Sequence, residues 1–356
     1  MRRVAVIHDW LTGMRGGEAV LEAILDILPD ADLFTLFHFP GTVSQKIESR
    51  TITTSSVQKL ARKTRDYRRL LPLFPHAVRK WDLGAYDLIV SSSHCVAKGV
   101  NAQGKPHLCY CHTPMRYMWD RFDDYFPRTR PLRRAAATSI APWLRRWDVA
   151  TSDGVTQFVA NSTFVRDRIR RFYGRDAEIV HPYVDDAFLA PPLEEERGDY
   201  HLIVSALVPY KKVDLAFATG KRLVVIGGGP LFEELQRRGG PNVTMLGSVS
   251  REVIIEKLAR AQSLILPGVE DFGITPLEAM ALGTPVVALG EGGALDTVVD
   301  GVTGIFFGRP EVDALRRALD EAESRTWDRA KIRLHAAQYS RVRFDRELRL
   351  RLAALT

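Results

Sequence analysis

Two glutamates stand eight residues apart in a segment that predicts a ligand-binding helix start. Glu270 follows the apolar run from Ser263 to Leu266, which predicts a buried strand, and Glu278 lies in the helical pattern that comes next. Thr275 suits the N-cap of that helix, and Pro276 suits its first position. The N–H groups of a first helical turn lack intrahelical partners and attract anions. The segment therefore predicts a phosphate site at the end of a strand.

Glu278 allows two interpretations. It lies three residues after the predicted N-cap Thr275, where a glutamate closes a capping box on the helix start and binds no ligand. Alternatively, its carboxylate binds a ligand held at the helix start, where Gly273 lets that ligand approach the backbone. The capping pattern taken alone favours the first interpretation.

Glycine-rich turns join a strand pattern to a helical pattern at three other places. They are Gly227 to Gly229, Gly290 to Gly293, and the turn before Glu18 that contains Gly16 and Gly17. The first two lack the G-x-G-x-x-G spacing of a dinucleotide site, so each alone is a weak signal. Successive backbone N–H groups in such turns can contact a phosphate.

Three cysteines and a histidine lie within eighteen residues, which raises the question of zinc. Cys109 and Cys111 fall on one face of a predicted strand, whereas His112 points to the other face. Free cysteine is also a common core residue. The pattern therefore favours buried cysteines and no metal site. Because the strand ends at Thr113 and Pro114, His112 is expected at the edge of a ligand site.

The charge of the chain is unevenly distributed. Its 356 residues carry a net charge of +7. The segments 57–81 and 128–147 carry +7 and +6, so the rest of the chain is acidic. Both segments interleave arginine with aromatic and aliphatic residues, which favours contact with an anionic membrane surface over a solvated helical face. No nucleic-acid-binding motif accompanies them, and no apolar run is long enough to span a membrane. A cytoplasmic setting, peripheral to the membrane, is expected.

The candidate residues lie on repeated apolar strands that alternate with amphipathic helices. Strands are predicted at Val4 to Ile7, Leu33 to Phe37, Leu88 to Ser91, His107 to Cys111, Gln157 to Ala160, Ile179 to His181, His201 to Ser205, Arg222 to Ile226, Val243 to Leu246, Ser263 to Leu266 and Pro285 to Ala288. This alternation predicts an α/β protein with parallel sheets covered on both faces, whose ligands bind at the carboxyl ends of the strands.

A proline pair and an acidic run near residue 191 predict a domain boundary. The predicted division is an N-terminal Rossmann-like domain over 1–185, a linker over 186–199, a second Rossmann-like domain over 200–326 and a helical segment over 327–356 that returns to the first domain. A ligand site is expected in a cleft between the two domains.

The segment from Glu270 to Ala288, E-D-F-G-I-T-P-L-E-A-M-A-L-G-T-P-V-V-A, resembles the signature of the retaining family 4 glycosyltransferases, which have the GT-B fold of two facing Rossmann-like domains. The segment from Val204 to Lys211 resembles the family segment that brings cations to the donor diphosphate, although Ala206 stands where many members have arginine. The run from His112 to Asp120 is similar to a bacterial subgroup that includes mannosyltransferases of surface-polysaccharide assembly.

The resemblance implies a role for each matched residue. It implies that Glu270 lies beside the donor-sugar hydroxyls, that Glu278 holds the ribose hydroxyls, and that Lys211 neutralises the diphosphate. It implies that His112 contacts the transferred sugar. Further donor contacts are expected from Gly16, Gly17, Lys212, Gly228, Val249, Phe272, Gly273, Ile274 and Thr275.

The function implied is transfer of mannose from GDP-mannose to a hydroxyl of a saccharide acceptor, which can be lipid-linked. No metal and no further cofactor are expected, since the site relies on lysine and backbone N–H groups. Three alternatives stay open: a UDP-sugar donor, a sugar-nucleotide epimerase, and an inactive nucleotide-binding regulator. The intact pair Glu270 and Glu278 argues against the last of these.

Overall fold

Strands that are buried on both faces build two separate parallel sheets. The computed structural model describes residues 2–61, 67–189 and 196–355. It divides into one unit formed by Met1–Val180 with Asp345–Thr356 and a second unit formed by His181–Phe344. The proline pair Pro191 and Pro192 of the predicted linker lies outside the described residues.

The first unit contains a seven-stranded sheet in the order β3-β2-β1-β4-β5-β6-β7, with every neighbouring pair parallel. Its strands are β1 (Val4–His8), β2 (Asp32–Thr35), β3 (Ile52–Thr54), β4 (Leu88–Ser93), β5 (His107–Cys111), β6 (Gln157–Ala160) and β7 (Ala177–Ile179). All residues of β1, β4 and β5 are buried, which explains apolar runs such as Val4–Ile7 and Leu88–Val90.

Helices connect these strands because parallel neighbours require long crossovers. The α-helices of the first unit are α1 (Gly16–Ile27), α2 (Gln45–Glu48), α3 (Phe74–Val78), α4 (Phe122–Tyr125), α5 (Pro131–Ala150) and α6 (Thr163–Tyr173). Single 3₁₀ turns occur at Ser56–Leu60, Tyr67–Leu73, Ala97–Gly99 and Thr151–Gly154.

The second unit contains a six-stranded parallel sheet in the order β10-β9-β8-β11-β12-β13. Its strands are β8 (His201–Val204), β9 (Leu223–Ile226), β10 (Val243–Gly247), β11 (Leu264–Leu266), β12 (Val286–Leu289) and β13 (Gly304–Phe307). Its helices are α7 (Asp186–Leu189), α8 (Asp214–Phe217), α9 (Phe232–Arg238), α10 (Arg251–Arg260), α11 (Ile274–Ala281), α12 (Ala294–Thr297), α13 (Val312–Ser324) and α14 (Arg329–Ala337), with a 3₁₀ turn at Pro209–Lys211.

The last helix, α15 (Arg341–Ala353), begins in the second unit and continues as part of the first. Within the first unit, the guanidinium of Arg351 lies 3.1 Å from the carboxylate of Glu178 at the end of the sheet. The sequence predicted a helical segment over 327–356, and the structure forms it as α14 and α15.

Both sheets have the strand order of a Rossmann-like fold, in which the direction of winding changes between the first and the fourth strand. This switch point lies between β1 and β4 in the first unit and between β8 and β11 in the second. Loops that leave the two strands there diverge to opposite faces of the sheet, so a ligand can enter between them. The predicted α/β class with two Rossmann-like domains is confirmed.

Most predicted strands are present within one or two residues, but three features differ. Strands β3 and β13 were not predicted, and the strand expected at Ile179 to His181 lies earlier, at Ala177–Ile179. Pro182 has no N–H with which to continue the ladder, which favours an end of the strand before it. No helix among the residues that the structure describes is long and apolar enough to cross a membrane.

Candidate functional site

Lys211 and Glu270 form an ion pair at the switch point of the second sheet. Lys211 ends the 3₁₀ turn that follows β8, and Glu270 lies in the loop that follows β11. The Nζ atom of Lys211 contacts Oε1 of Glu270, and their side chains are only 12% and 19% exposed. The structure therefore brings together the two residues that the sequence predicted to bind phosphate and sugar.

A glycine that the sequence analysis did not select makes this contact possible. A Cβ atom at Gly268 would lie 2.5 Å from the carbonyl oxygen of Tyr210 and 2.8 Å from Cα of Lys211. Both distances are far inside van der Waals contact, so only glycine allows the loop after β11 to lie against the backbone of Lys211. The signal in the sequence was a glycine placed between an apolar strand and a candidate acidic residue.

The turn at Gly290 to Gly293 supports the same loop from the other side. The N–H of Gly293 donates to the carbonyl oxygen of Glu270 at 2.9 Å, and Glu270 pairs with Gly292 in an isolated parallel bridge. A Cβ atom at Gly293 would lie 2.3 Å from Cα of Phe272. This turn is therefore more than a plain tight turn, because it fixes the backbone that carries Glu270.

Helix α11 begins at Ile274, which corrects the prediction that Thr275 is its N-cap and Pro276 its first residue. Gly273 is the N-cap, with φ of 86° and ψ of 90°, and no side chain caps the helix. The left-handed φ of Gly273 turns the chain into the helix two residues earlier than the threonine pattern suggested. The N–H groups of Ile274 and Thr275 now belong to the first turn, where they have no intrahelical acceptor.

The new helix start also decides between the two interpretations of Glu278. Glu278 is the fifth residue of α11, so it does not occupy the third position that a capping box requires. Its carboxylate makes no hydrogen bond or ion pair with the residues the structure describes. The capping interpretation is wrong, and the carboxylate has no structural partner.

Burial raises the pKa of Glu278 from 4.5 to about 7. The positive charge of Arg251 opposes the shift, and the negative charge of Asp185 adds to it. A half-buried carboxyl group with a raised pKa and no internal partner is unusual in a structural position and common in a ligand site.

The other predicted residues of this site differ in what they can offer a ligand. The ring of Phe272 is buried and stacks on the ring of His181 at a centroid distance of 5.5 Å, so Phe272 has only its backbone to offer. Lys212 is the C-cap residue after this 3₁₀ turn and has a left-handed conformation, with φ of 48°. The carbonyl of Gly228 accepts from the N–H of Leu207, which ties its turn to the segment before Lys211. Val249 is half-buried against the core.

A second cluster of polar residues lies at the switch point of the first sheet. Nε2 of His112 lies 2.8 Å from the hydroxyl of Ser92, and that hydroxyl lies 3.0 Å from Nδ1 of His8. A Cβ atom at Gly17 would lie 3.9 Å from both His112 and His8, so the start of α1 is adjacent to these imidazoles. Gly16, the first residue of α1, is exposed. The structure therefore brings His112 and Gly17 together.

Asp9 has a structural role in this cluster. Its two oxygens accept the backbone N–H groups of His94, Cys95, Val96 and Ala97 at 2.7 to 2.9 Å, which holds the loop after β4. Burial lowers the pKa of His94 to about 3, so this imidazole is neutral at physiological pH. Asp9 is consequently a buried strand terminus rather than a residue that faces a substrate.

The cysteines are buried and free. Cys109 and Cys111 lie in β5, where they contribute to a core cluster around Phe158 and Val165. Within the described part of the chain, no group of three or more His, Cys, Asp or Glu residues could hold a metal ion.

Comparison with known proteins identifies the family. The model of "Glycosyltransferase Family 4" matches residues 31–188, and the model of "Glycosyl transferases group 1" matches residues 186–341. Together the two models match nearly the whole chain.

Curated relatives resemble parts of the chain. A GDP-mannose-dependent alpha-(1-6)-phosphatidylinositol monomannoside mannosyltransferase from Mycolicibacterium smegmatis is 32% identical over 212 residues, which are 50% of this chain and 54% of that protein. A glycogen synthase from Xanthomonas axonopodis pv. citri is 36% identical over 167 residues, or 43% of this chain and 34% of that enzyme. The matches thus span from a third to about half of the length of these relatives.

The fold agrees with that of solved structures over its full length. The crystal structure of Anabaena HepE in complex with UDP has a TM-score of 0.71 with 17% identity, and the match covers 99% of this chain and 100% of that one. Together, the family models and this similarity of fold lead to one conclusion: the chain belongs to the family 4 glycosyltransferases and has the GT-B fold.

Proposed function

We propose that this protein transfers a sugar from a nucleotide-sugar donor to a hydroxyl group of a saccharide acceptor, and that it binds the donor at the switch point of the second sheet. The observation that carries the proposal is the unpartnered carboxyl group of Glu278 in helix α11. Burial without a partner destabilises the ionised carboxylate, and such a group is retained where a ligand supplies the missing hydrogen bonds.

The residues of this site match the parts of a nucleotide-sugar. Glu278 is suited to accept hydrogen bonds from the two ribose hydroxyls, and Glu270 is suited to accept them from the transferred sugar. The N–H groups of Ile274 and Thr275, at the positive end of α11, are suited to the diphosphate. Lys211 supplies the cation, once it exchanges Glu270 for phosphate oxygens.

The proposed chemistry uses charge stabilisation by this chain's own groups. The bond between the sugar C1 and the diphosphate oxygen breaks, and the nucleoside diphosphate leaves with the electron pair. The acceptor oxygen bonds to C1 on the same face, and its proton passes to a leaving phosphate oxygen, so configuration is retained. Lys211 and the start of α11 stabilise the developing negative charge, so the proposal requires no metal. The roles of His112, Gly16 and Gly17 in donor binding stay predictions of the sequence.

GDP-mannose is the proposed donor, because the Mycolicibacterium smegmatis relative is GDP-mannose-dependent. A UDP-sugar is the second candidate, since HepE was also solved in complex with UDP-glucose. A lipid-linked acceptor is part of the proposal, and it fits the membrane-facing helix described next.

The basic surface proposed for membrane contact is narrower than the sequence suggested. Residues 62–66, which include Arg62 and Lys63, lie outside the described residues. In the rest of segment 57–81, the rings of Tyr67 and Phe74 are buried in the core, so they cannot enter a membrane. The aromatic pattern of this segment serves packing instead.

Helix α5 retains the properties of a membrane-facing surface. It buries Ala137, Ala141, Leu144 and Asp148 on one face, whereas Leu132 is 87% and Trp143 is 44% exposed. Two of the six arginines of segment 128–147 donate hydrogen bonds to backbone carbonyls, Arg134 to that of Phe126 and Arg145 to that of Met118, and Arg133 lies over the ring of Phe126. The other four are exposed: Arg128, Arg130, Arg133 and Arg146.

Replacement of Lys211 tests the proposed reaction. Lys211→Ala should lower kcat/KM for the donor that the wild-type enzyme uses. The loss should correspond to about 2–3 kcal/mol of transition-state stabilisation, because one preorganised charge is removed. The measurement is chromatographic release of nucleoside diphosphate from GDP-mannose and from UDP-glucose, with and without saccharide acceptor. Lys257→Ala, a surface lysine paired with Glu256, is the matched control and should behave as wild type. Turnover by Lys211→Ala at the wild-type rate would contradict the role of Lys211. Release of nucleoside diphosphate from UDP-glucose but not from GDP-mannose would show that the donor is the UDP-sugar.

Replacement of Glu278 separates ligand binding from stability. The pKa of Glu278 is raised on folding from 4.5 to about 7. Its carboxylate therefore has no effect on stability below about pH 4.5, destabilises the folded protein increasingly between pH 4.5 and 7, and has its full effect above pH 7. Glu278→Gln should therefore raise the free energy of unfolding by about 3 kcal/mol at pH 8 and leave it nearly unchanged near pH 4.5. The same variant should bind the donor about 1.5–3 kcal/mol more weakly, because a charged hydrogen-bond acceptor is lost.

Denaturant unfolding at both pH values and donor titration measure the two effects of Glu278→Gln. Glu234→Gln, on an exposed helix face, is the control that should change neither. A variant that is destabilised at pH 8 while its donor affinity is unchanged would return Glu278 to a structural role.

Membrane contact through α5 is tested by co-sedimentation with vesicles. Changing Arg128, Arg130, Arg133 and Arg146 to Ser should lower binding to anionic vesicles by roughly three orders of magnitude, at about 1 kcal/mol per residue. Binding of the wild-type protein should also weaken with salt, because the Debye length falls to about 3 Å at 1 M. The control changes four exposed basic residues of the second unit, Arg237, Arg309, Arg317 and Lys331, to Ser. Equal binding of both variants, or no binding by wild type, would refute the surface.

A further inference from the structure

A row of polar side chains runs from inside the first unit to His112, joined by hydrogen bonds from His8 onward and by a longer electrostatic contact between Glu18 and His8. The carboxylate of Glu18 faces Nε2 of His8 at 3.8 Å, Nδ1 of His8 contacts the hydroxyl of Ser92 at 3.0 Å, and that hydroxyl contacts Nε2 of His112 at 2.8 Å. Glu18, His8 and Ser92 are buried, whereas His112 is partly exposed. Neither the family resemblance nor the donor site accounts for the three buried members.

The single proton of Ser92 makes the two histidines depend on each other. A serine hydroxyl has one proton and two lone pairs, so it can donate to only one of the two ring nitrogens. If Nδ1 of His8 accepts the hydrogen bond from Ser92, Nε2 of His112 must therefore donate to Ser92. A His8 that accepts at Nδ1 thereby fixes the tautomer of His112.

Glu18 determines which ring nitrogen of His8 carries the proton. It is the third residue of α1, at the positive end of the helix dipole. Burial raises the pKa of Glu18, but the interaction with His8 outweighs it, and the pKa is lowered overall, so the group is ionised at neutral pH. A carboxylate facing Nε2 of His8 favours a proton on that nitrogen, which leaves Nδ1 of neutral His8 as the acceptor for Ser92.

We propose that Glu18, His8 and Ser92 are positioning residues that hold the ring of His112 in place as its Nε2–H tautomer. Ser92 then donates to His8 and accepts from His112, so Nδ1 of His112 carries the lone pair. With the lone pair at Nδ1, that ring nitrogen of His112 can accept a hydrogen bond and cannot donate one. The catalytic consequence rests on the proposed function, whereas the tautomer itself does not.

The direct test is nitrogen NMR of the histidine side chains in the full chain labelled with ¹⁵N. At pH 8, His112 should show a protonated Nε2 and an unprotonated Nδ1, with its signals assigned by their loss in His112→Asn. Ser92→Ala should abolish this preference and yield averaged tautomers, and Ser92→Thr, which keeps the hydroxyl, should restore it. This readout needs no substrate, so it stands even if the protein transfers no sugar.

Ser91→Ala is the matched control. Ser91 is the preceding residue of β4, is equally buried, and also contacts a histidine, with its hydroxyl 2.8 Å from Nε2 of His107. Because its hydroxyl is bonded to His107 and not to His112, Ser91→Ala should leave the His112 tautomer and the kinetics unchanged. An equal effect of both serine variants would identify a general loss of packing and overturn the relay.

Kinetics provide the second readout. Ser92→Ala should lower kcat by roughly ten- to a hundredfold with little change in the donor KM. Losses of this size are typical when a residue that hydrogen-bonds to a functional histidine is removed. If His112 shows the Nδ1–H tautomer at pH 8, or if Ser92→Ala keeps the wild-type tautomer, the proposal is wrong. Absence of donor turnover in wild type would instead refute the proposed function alone.

Discussion

Close backbone packing at the carboxyl edge of the second sheet is the constraint on which the site depends. Gly268 lies against the backbone of Lys211, and Gly293 lies against that of Phe272, at distances where a Cβ atom would overlap main-chain atoms. These two contacts clamp the loop of Glu270 between the turn after β8 and the turn after β12. The ion pair of Lys211 with Glu270 and the start of α11 are positioned as a result, since the loop leads directly into the helix.

The electrostatics of the site are unfavourable for folding and favourable for a ligand. Glu278 gains no internal partner, and burial raises its pKa to about 7, so the folded protein is less stable whenever this carboxyl is ionised. The start of α11 adds N–H groups with no intrahelical acceptor. The site therefore lowers the stability of the folded protein, as many binding sites do. By contrast, Asp9 in the first unit has its oxygens occupied by four backbone N–H groups, which is the pattern of a structural carboxylate.

The sequence predicted the fold class, most strands and the pair Glu270 and Glu278, because apolar periodicity and motif order are local properties. It placed the start of α11 at Thr275, since a threonine followed by proline is a common helix start, but the left-handed φ of Gly273 is set by its neighbours in space. It missed Gly268 and the contacts of Ser92, because both depend on which loops meet at a switch point. It also read Tyr67 and Phe74 as surface aromatics, although packing buries them.

The central claim is that Glu278 binds the donor through its ionised carboxylate, and calorimetry can test it directly. Hydroxyl groups that donate to the carboxylate lower its pKa, so donor binding at pH 7 should release about half a proton per site from a group whose pKa is about 7 in the free protein. Titration with GDP-mannose and with UDP-glucose, whose diphosphates do not titrate near this pH, in buffers of different ionisation enthalpy measures that release. The account predicts release that vanishes at pH 9. Donor binding with no proton release at pH 7, or with proton uptake, would contradict it.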